Sequence, residues 1–247
     1  EDEITPYAQA GHLTRGDLES YAMITRMDRN IGRLLTALEV SGRADNTIVV
    51  FLSDNGPQQR HARDQGRETT RFNFDLRGDK GTIYEGGIRV PCFIRWPGEI
   101  RAGRNLMERT SVNDLFPTLI DLAAVGFPPG LDVDGVTLAP LLLGRTQALP
   151  QRILFHQFQR AAVPSPWENS SATGPRYKMV NGDELYDLAA DPGETRNIAN
   201  SHPKELQQLR SAFESWFTEV SEESGFVGSR VWLGSERQPE VRFKYWH

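Results

Sequence analysis

The chain has 247 residues, 38% of them hydrophobic and 25% charged, which is enough for one large domain or a domain with an appendage and argues against pervasive disorder. A net charge of −5 and an isoelectric point near 5.6 supply no basic stripe for a nucleic-acid backbone, and no apolar run reaches membrane-spanning length. The lone cysteine, Cys92, excludes an internal disulfide and a cysteine-rich zinc site.

Residues 1 to 16 read as loop, punctuated by Pro6, Gly11 and Gly16. A helix is predicted next, N-capped by Asp17 and carrying Tyr21, Ile24, Met27, Ile31, Leu34, Leu35 and Leu38 at helical spacing until Gly42. That stripe is expected to be core packing, and the nearby Asp28 a solvated or salt-bridged side chain. From Thr47 to Leu52 the residues are β-branched or apolar without alternation, which predicts a strand covered on both faces of a mostly parallel sheet. Ser53, Asp54 and Asn55 stand at its carboxyl end, where α/β sheets gather ligands, and Gly56-Pro57 turns the chain away. A carboxylate beside a carboxamide suits Ca²⁺ or Mg²⁺ better than zinc. Asp-Asn-Gly is also ordinary turn chemistry, so these residues alone leave turn and metal ligand both open.

Residues 58–75 are polar, rich in Arg and Gln, and longer than an ordinary connection. His61 lies here, either within reach of a site or simply solvated. The stretch Leu76-Arg-Gly-Asp-Lys-Gly-Thr-Ile-Tyr-Glu-Gly-Gly-Ile88 sets Lys80 between Gly78 and Gly81. Held on such a loop, an ammonium can meet an anionic oxygen as a point charge or as a proton donor; the competing reading is a flexible surface lysine. Walker-loop spacing is absent, so nucleotide cradling has no support. Ile88 to Trp96 resumes as a strand broken by Pro91, and Cys92, among Val90, Phe93 and Ile94, is expected to be a buried inert thiol.

A short helix is predicted within Asn113 to Ala124, a strand over Arg152 to Phe158, and loop over 160–175. Paired strands at Arg176–Val180 and Glu184–Leu188 flank Asn181-Gly182-Asp183, a hairpin signal, and an amphipathic helix follows from Pro203 to Val220. Glu1 is not a start methionine, and Arg242-Phe-Lys-Tyr-Trp-His247 keeps a strand-like rhythm, so both ends are expected to be cut from a longer protein.

Taken in order, Ser53-Asp-Asn-Gly56, Leu76 to Pro91, Arg95-Trp-Pro-Gly98, Asp114-Leu-Phe-Pro-Thr118, Glu184-Leu-Tyr-Asp-Leu188 and Asp191-Pro-Gly-Glu194 resemble the type I sulfatases. The resemblance runs from about Tyr21 to Val220. It implies an α/β fold: part of an alkaline-phosphatase-like mixed sheet flanked by helices, then a smaller α+β subdomain. Region 1–150 becomes the distal part of the catalytic domain, 151–225 antiparallel strands plus a helix, and 226–247 the start of a β-rich extension. By the same resemblance Asp54 and Asn55 are metal ligands of a catalytic Ca²⁺, and Lys80 is the active-site lysine; Tyr84, Glu85 and Arg89 match the motif without an assigned role.

The family's nucleophile is a formylglycine made from Cys or Ser in a Cys/Ser-x-Pro/Ala-x-Arg motif. Neither Cys92-Phe-Ile-Arg-Trp96 nor Ser201-His-Pro-Lys-Glu205 fits it, and the upstream acidic pair of the calcium site is missing. A fragment of a sulfuric ester hydrolase, inactive by itself, is therefore expected. The implied partners are a sulfated small molecule or a polysaccharide, with no nucleic acid and no membrane, in a periplasmic or secreted location. A phosphatase or phosphodiesterase of the same superfamily, or a non-catalytic carbohydrate-binding relative, are the alternatives.

Overall fold

The computed structural model describes residues 3–9, 13–58, 63–64, 67–68, 72–159, 163–224, 232–233 and 241–242. They fall into two units, Glu1–Lys80 with Glu85–Arg152, and Gly81–Tyr84 with Ile153–His247.

The first unit opens with a single turn, α1 (Thr5–Ala8), against the long helix α2 (Arg15–Val40). The rings of Tyr7 and Tyr21 lie 5.6 Å apart between them. Thr14, and not Asp17, caps α2: the Thr14 hydroxyl accepts from the Asp17 amide at 3.3 Å, and the Asp17 carboxylate accepts from the Thr14 amide at 3.2 Å. This reciprocal box satisfies two otherwise orphaned donors and starts the helix earlier than the apolar pattern predicts. Gly42, at φ 71°, stops it in the left-handed conformation that glycine adopts without strain. The predicted core stripe is buried only in part: Ile24, Met27 and Leu34 are 54%, 46% and 71% exposed, and Tyr21, Ile31, Leu35 and Leu38 are half-buried. Periodicity shows which side of a helix is apolar, but burial also needs an element to cover that side.

Strand β1 (Val49–Leu52) follows. A short antiparallel pair, β2 (Arg63–Asp64) and β3 (Arg67–Glu68), and the turn of helix α3 (Glu85–Ile88) precede β4 (Cys92–Arg95). β1 and β4 pair antiparallel, Val49 opposite Arg95 and Leu52 opposite Cys92. The expected parallel, doubly covered strand is thus corrected, because an unbroken apolar run fixes neither the direction of the neighbouring strand nor cover on both faces. Ile48 and Ile94 turn inward onto Leu122, Leu138, Ala139 and Leu142, whereas Phe93 stays exposed. Cys92 is exposed as well, correcting the expected burial.

Helices α4 (Leu115–Leu122) and α5 (Ala139–Leu142) form the rest of this core. Asp114, fully buried before α4, accepts from the Ser111 amide at 2.8 Å, from the Val136 amide at 2.9 Å and from both terminal nitrogens of Arg152. One turn on, the Thr118 hydroxyl accepts from the Leu138 amide at 2.8 Å. Two side chains on one helical turn therefore fasten three separate segments.

In the second unit β5 (Leu154–Gln157), β6 (Ser170–Thr173), β7 (Tyr177–Val180) and β8 (Glu184–Asp187) make an antiparallel sheet in that order. Asn181 and Gly182, at φ 52° and 82°, form the turn of the expected hairpin. Helix α6 (Pro203–Ser224) covers one face, setting Leu209 and Phe213 on Ala172, Met179 and Leu185. The opposite face packs Val180, Tyr186 and Leu188 around Ile83. β6 lies inside the segment expected to be loop. Ser-Ser-Ala-Thr carries almost no apolar signal, and the strand is buried by its neighbours more than by its own hydrophobicity. A further antiparallel pair, β9 (Trp232–Leu233) and β10 (Val241–Arg242), lies beyond α6.

Candidate active site

The candidate residues of the first unit stand on two loops that are joined through the backbone. Leaving β1, the Ser53 amide donates to the Pro91 carbonyl at 3.3 Å and the Gly56 amide to the Gly87 carbonyl at 2.8 Å. The Lys80 amide donates to the Pro57 carbonyl at 3.0 Å, and the Gly86 amide to the Arg77 carbonyl at 2.7 Å. The backbone of Lys80 is therefore tied to the turn that carries Asp54 and Asn55.

Glycine makes this weave possible. A Cβ on Gly56 would lie 1.9 Å from the Gly86 carbonyl oxygen, and one on Gly86 would lie 2.3 Å from that of Gly78. No side chain fits in either place. At Gly56 and Gly86 the backbone passes close to itself.

Side-chain chemistry is left available around this knot. The Ser53 hydroxyl donates to the Asn55 carbonyl at 2.9 Å, and Asn55 Nδ2 donates to the Gly56 carbonyl at 2.9 Å, which leaves Asn55 Oδ1 as an acceptor. Among the described residues, the exposed Asp54 carboxylate and Lys80 ammonium have neither a hydrogen bond nor an ion pair. Two uncommitted hard oxygens fit part of a Ca²⁺ shell, which takes about 6–8 oxygens in all. No group of three or more His, Cys, Asp or Glu side chains gathers as a metal site among the described residues.

Cys92 does not fit a nucleophile. Although Cys92 is exposed, partial loss of water around its sulfur still pushes the thiol pKa up, away from the thiolate form that attacks. His61 lies outside the described residues. Of the unassigned motif residues, Arg89 is exposed, Glu85 is buried in α3, and the Tyr84 hydroxyl donates toward both Glu184 oxygens at 3.0 Å within the second unit. Sequence reading singles out neither Glu184 nor Asn169, whose Nδ2 donates to the Gly81 carbonyl at 2.9 Å, as a site residue. The available signal is weak: a partly buried tyrosine needs a hydrogen-bond partner, and sequence does not say which.

The two halves of this pattern match two family models. The first, for sulfatases, covers residues 7–125, and the second, for the C-terminal part of N-sulphoglucosamine sulphohydrolase, covers residues 76–223. The chain belongs to the sulfatase family. Among its relatives, a mouse steryl-sulfatase is 34% identical over 75% of this chain and 34% of its own length. An N-acetylgalactosamine-6-O-sulfatase of Bacteroides thetaiotaomicron is 31% identical over 84% of this chain and 42% of its own. The solved structure of BT4656 in complex with its substrate D-glucosamine-2-N,6-O-disulfate superposes with a TM-score of 0.57 and 25% identity, over 92% of this chain and 47% of that one. This sulfatase chain thus spans less than half the length of these relatives. Its α/β architecture agrees with that of the BT4656 structure, and no described helix is long and apolar enough to cross a membrane.

Proposed function

We propose that the chain contributes part of the centre at which a type I sulfatase hydrolyses a sulfate ester, R–OSO₃⁻ plus water giving R–OH and hydrogen sulfate. Asp54 and Asn55 Oδ1 are assigned as ligands of Ca²⁺. When bound, the ion offsets negative charge on the sulfate oxygens. Lys80 is assigned to the same anion, holding a sulfate oxygen by charge-assisted hydrogen bonding or giving its proton to the oxygen that leaves as the S–O bond breaks. The observation that carries this reading is the Lys80 amide on the Pro57 carbonyl, which anchors the lysine loop beside the Asp54–Asn55 turn.

No residue of the chain is assigned as nucleophile. Formylglycine requires a Cys/Ser-x-Pro/Ala-x-Arg motif absent from these 247 residues, and the surroundings of Cys92 disfavour its thiolate. Region 1–150 is accordingly read as the distal catalytic part, 151–225 as its C-terminal subdomain and 226–247 as the start of an extension. The substrate class is a sulfated small molecule or saccharide, the latter supported by the sulfated sugar bound to BT4656. A periplasmic or secreted location accompanies that reading.

The test is hydrolysis of an aryl sulfate and of a sulfated saccharide by the complete gene product. Lys80→Ala and Asp54→Ala are expected to lower kcat/KM by about 10²–10⁴-fold. The isolated 247-residue chain is expected to show no turnover. Hydrolysis that survives Lys80→Ala unchanged contradicts the assignment.

A further inference from the structure

Phe72 and Phe74 stand just ahead of the lysine loop, 70% and 77% exposed, with ring centroids 4.8 Å apart and planes tilted by 52°. A solitary exposed apolar side chain is ordinary on a protein surface. The backbone sets these two apart. Phe74 stands at φ 60° and Asp75 at φ 57°, both in the left-handed region. Asp enters that region with the help of its short polar side chain, whereas a phenylalanine has no such help and is held there only against strain.

The residue between the two rings does the holding. Asn73 Nδ2 donates to the Leu76 carbonyl at 2.7 Å and to the Gly78 carbonyl at 3.3 Å, and the Asn73 carbonyl accepts from the Leu76 amide at 3.3 Å. The Arg77 carbonyl, between those two acceptors, takes the Gly86 amide at 2.7 Å, and two residues past Gly78 the Lys80 amide is bound to Pro57. The aromatic turn is thus fastened to the backbone of the lysine loop, and all of these residues belong to the first unit. Strain kept in place beside a reactive side chain points to function. With neither hydroxyl nor ring nitrogen, the pair offers only apolar faces and ring edges, which suit a flat ring and give no hydrogen bond to an anion. In a sulfate ester, the group next to the anion is the alcohol part, R.

We infer that Phe72 and Phe74 form a subsite for the ring of R, receiving the apolar face of an aryl or sugar ring while Lys80 engages the sulfate. This rests on the assignment of Lys80 to sulfate. The two rings select the substrate and take no part in breaking the S–O bond.

The test is steady-state hydrolysis of nitrophenyl sulfate and of a sulfated glucosamine by the complete gene product, with inorganic sulfate, a ringless anion, as competitive inhibitor. Phe72→Ala and Phe74→Gly raise KM for one or both esters about five- to tenfold, the scale of a lost ring contact, with kcat and inhibition by inorganic sulfate unchanged. A rise for the nitrophenyl ester alone assigns the subsite to aryl rings, a rise for the glucosamine alone to sugar rings, and a rise for both to ring faces in general. Phe74→Gly also preserves the thermal unfolding midpoint, because glycine adopts a positive φ freely, which separates lost affinity from lost folding. Wild-type KM values in both variants overturn the subsite and leave Lys80 as the sulfate ligand. Weakened inhibition by inorganic sulfate in the Phe variants also overturns it, since the damage then lies at the anion. Hydrolysis that survives Lys80→Ala unchanged, or no hydrolysis of either ester, overturns the parent reading and this inference with it.

Discussion

Gly56 and Gly86 are needed for close contact between backbones, and only hydrogen can occupy the place of a Cβ in this arrangement. Gly86→Ala would force a methyl to within 2.3 Å of the Gly78 carbonyl oxygen, where no flexible side chain can yield. Urea denaturation of this variant should show a loss of about 1–3 kcal/mol or more, the range of overpacked sites. An unchanged midpoint would mean that the two loops do not meet as described. Asn169 illustrates another residue-scale constraint. It heads a formal Asn-Ser-Ser sequon, yet its amide nitrogen already serves two carbonyls and Ser171 is fully buried, so the nitrogen is engaged in structure and not presented for modification.

At the scale of elements, the fastening of α4 has a definite pH signature. Burial alone would push the Asp114 carboxyl up, but hydrogen bonds from Arg152, Ser111 and Val136, with the Arg152 charge, outweigh it and hold the pKa below the usual carboxylate value. A depressed folded pKa contributes stability that is fully present above the unfolded value, about 3.9, and is lost as pH falls through the folded one. Acid titration of unfolding free energy should therefore decline below about pH 4, with part of the slope absent in Asp114→Asn. That variant should also lose about 3–5 kcal/mol at neutral pH, since Arg152 keeps its charge in a largely buried position. An equally steep acid limb in the variant would assign the pH dependence elsewhere. Elements marked by local chemistry were legible in the sequence. The hairpin was given away by Asn181-Gly182 and α6 by its period, and the strand at Leu154–Gln157 fell where the apolar run predicted. What depends on neighbours was hidden: β6 is a strand because β5 and β7 flank it, and β1 is antiparallel because β4 returns beside it.

The same distinction holds for the whole molecule. Motif order was sufficient to identify the family, because several motifs that are each ordinary turn chemistry alone follow one another in a fixed order. The grip of Asn169 and Glu184 on Gly81–Tyr84 was not legible, since it joins residues 88 and 100 positions apart with no shared local pattern. Nor was the exposure of Ile24, Met27 and Leu34 on α2, which reflects what lies against them and not their spacing. The proposed assignment requires that Asp54, Asn55 and Lys80 serve one anion. Its most direct measurement is anomalous diffraction from crystals of the chain soaked in Ca²⁺ and sulfate. The expected result is a calcium about 2.3–2.6 Å from Asp54 and Asn55 side-chain oxygens and a sulfate oxygen about 2.7–3.2 Å from Lys80 Nζ. Calcium bound away from this pair, or a Lys80 nitrogen directed away from the anion, would contradict it.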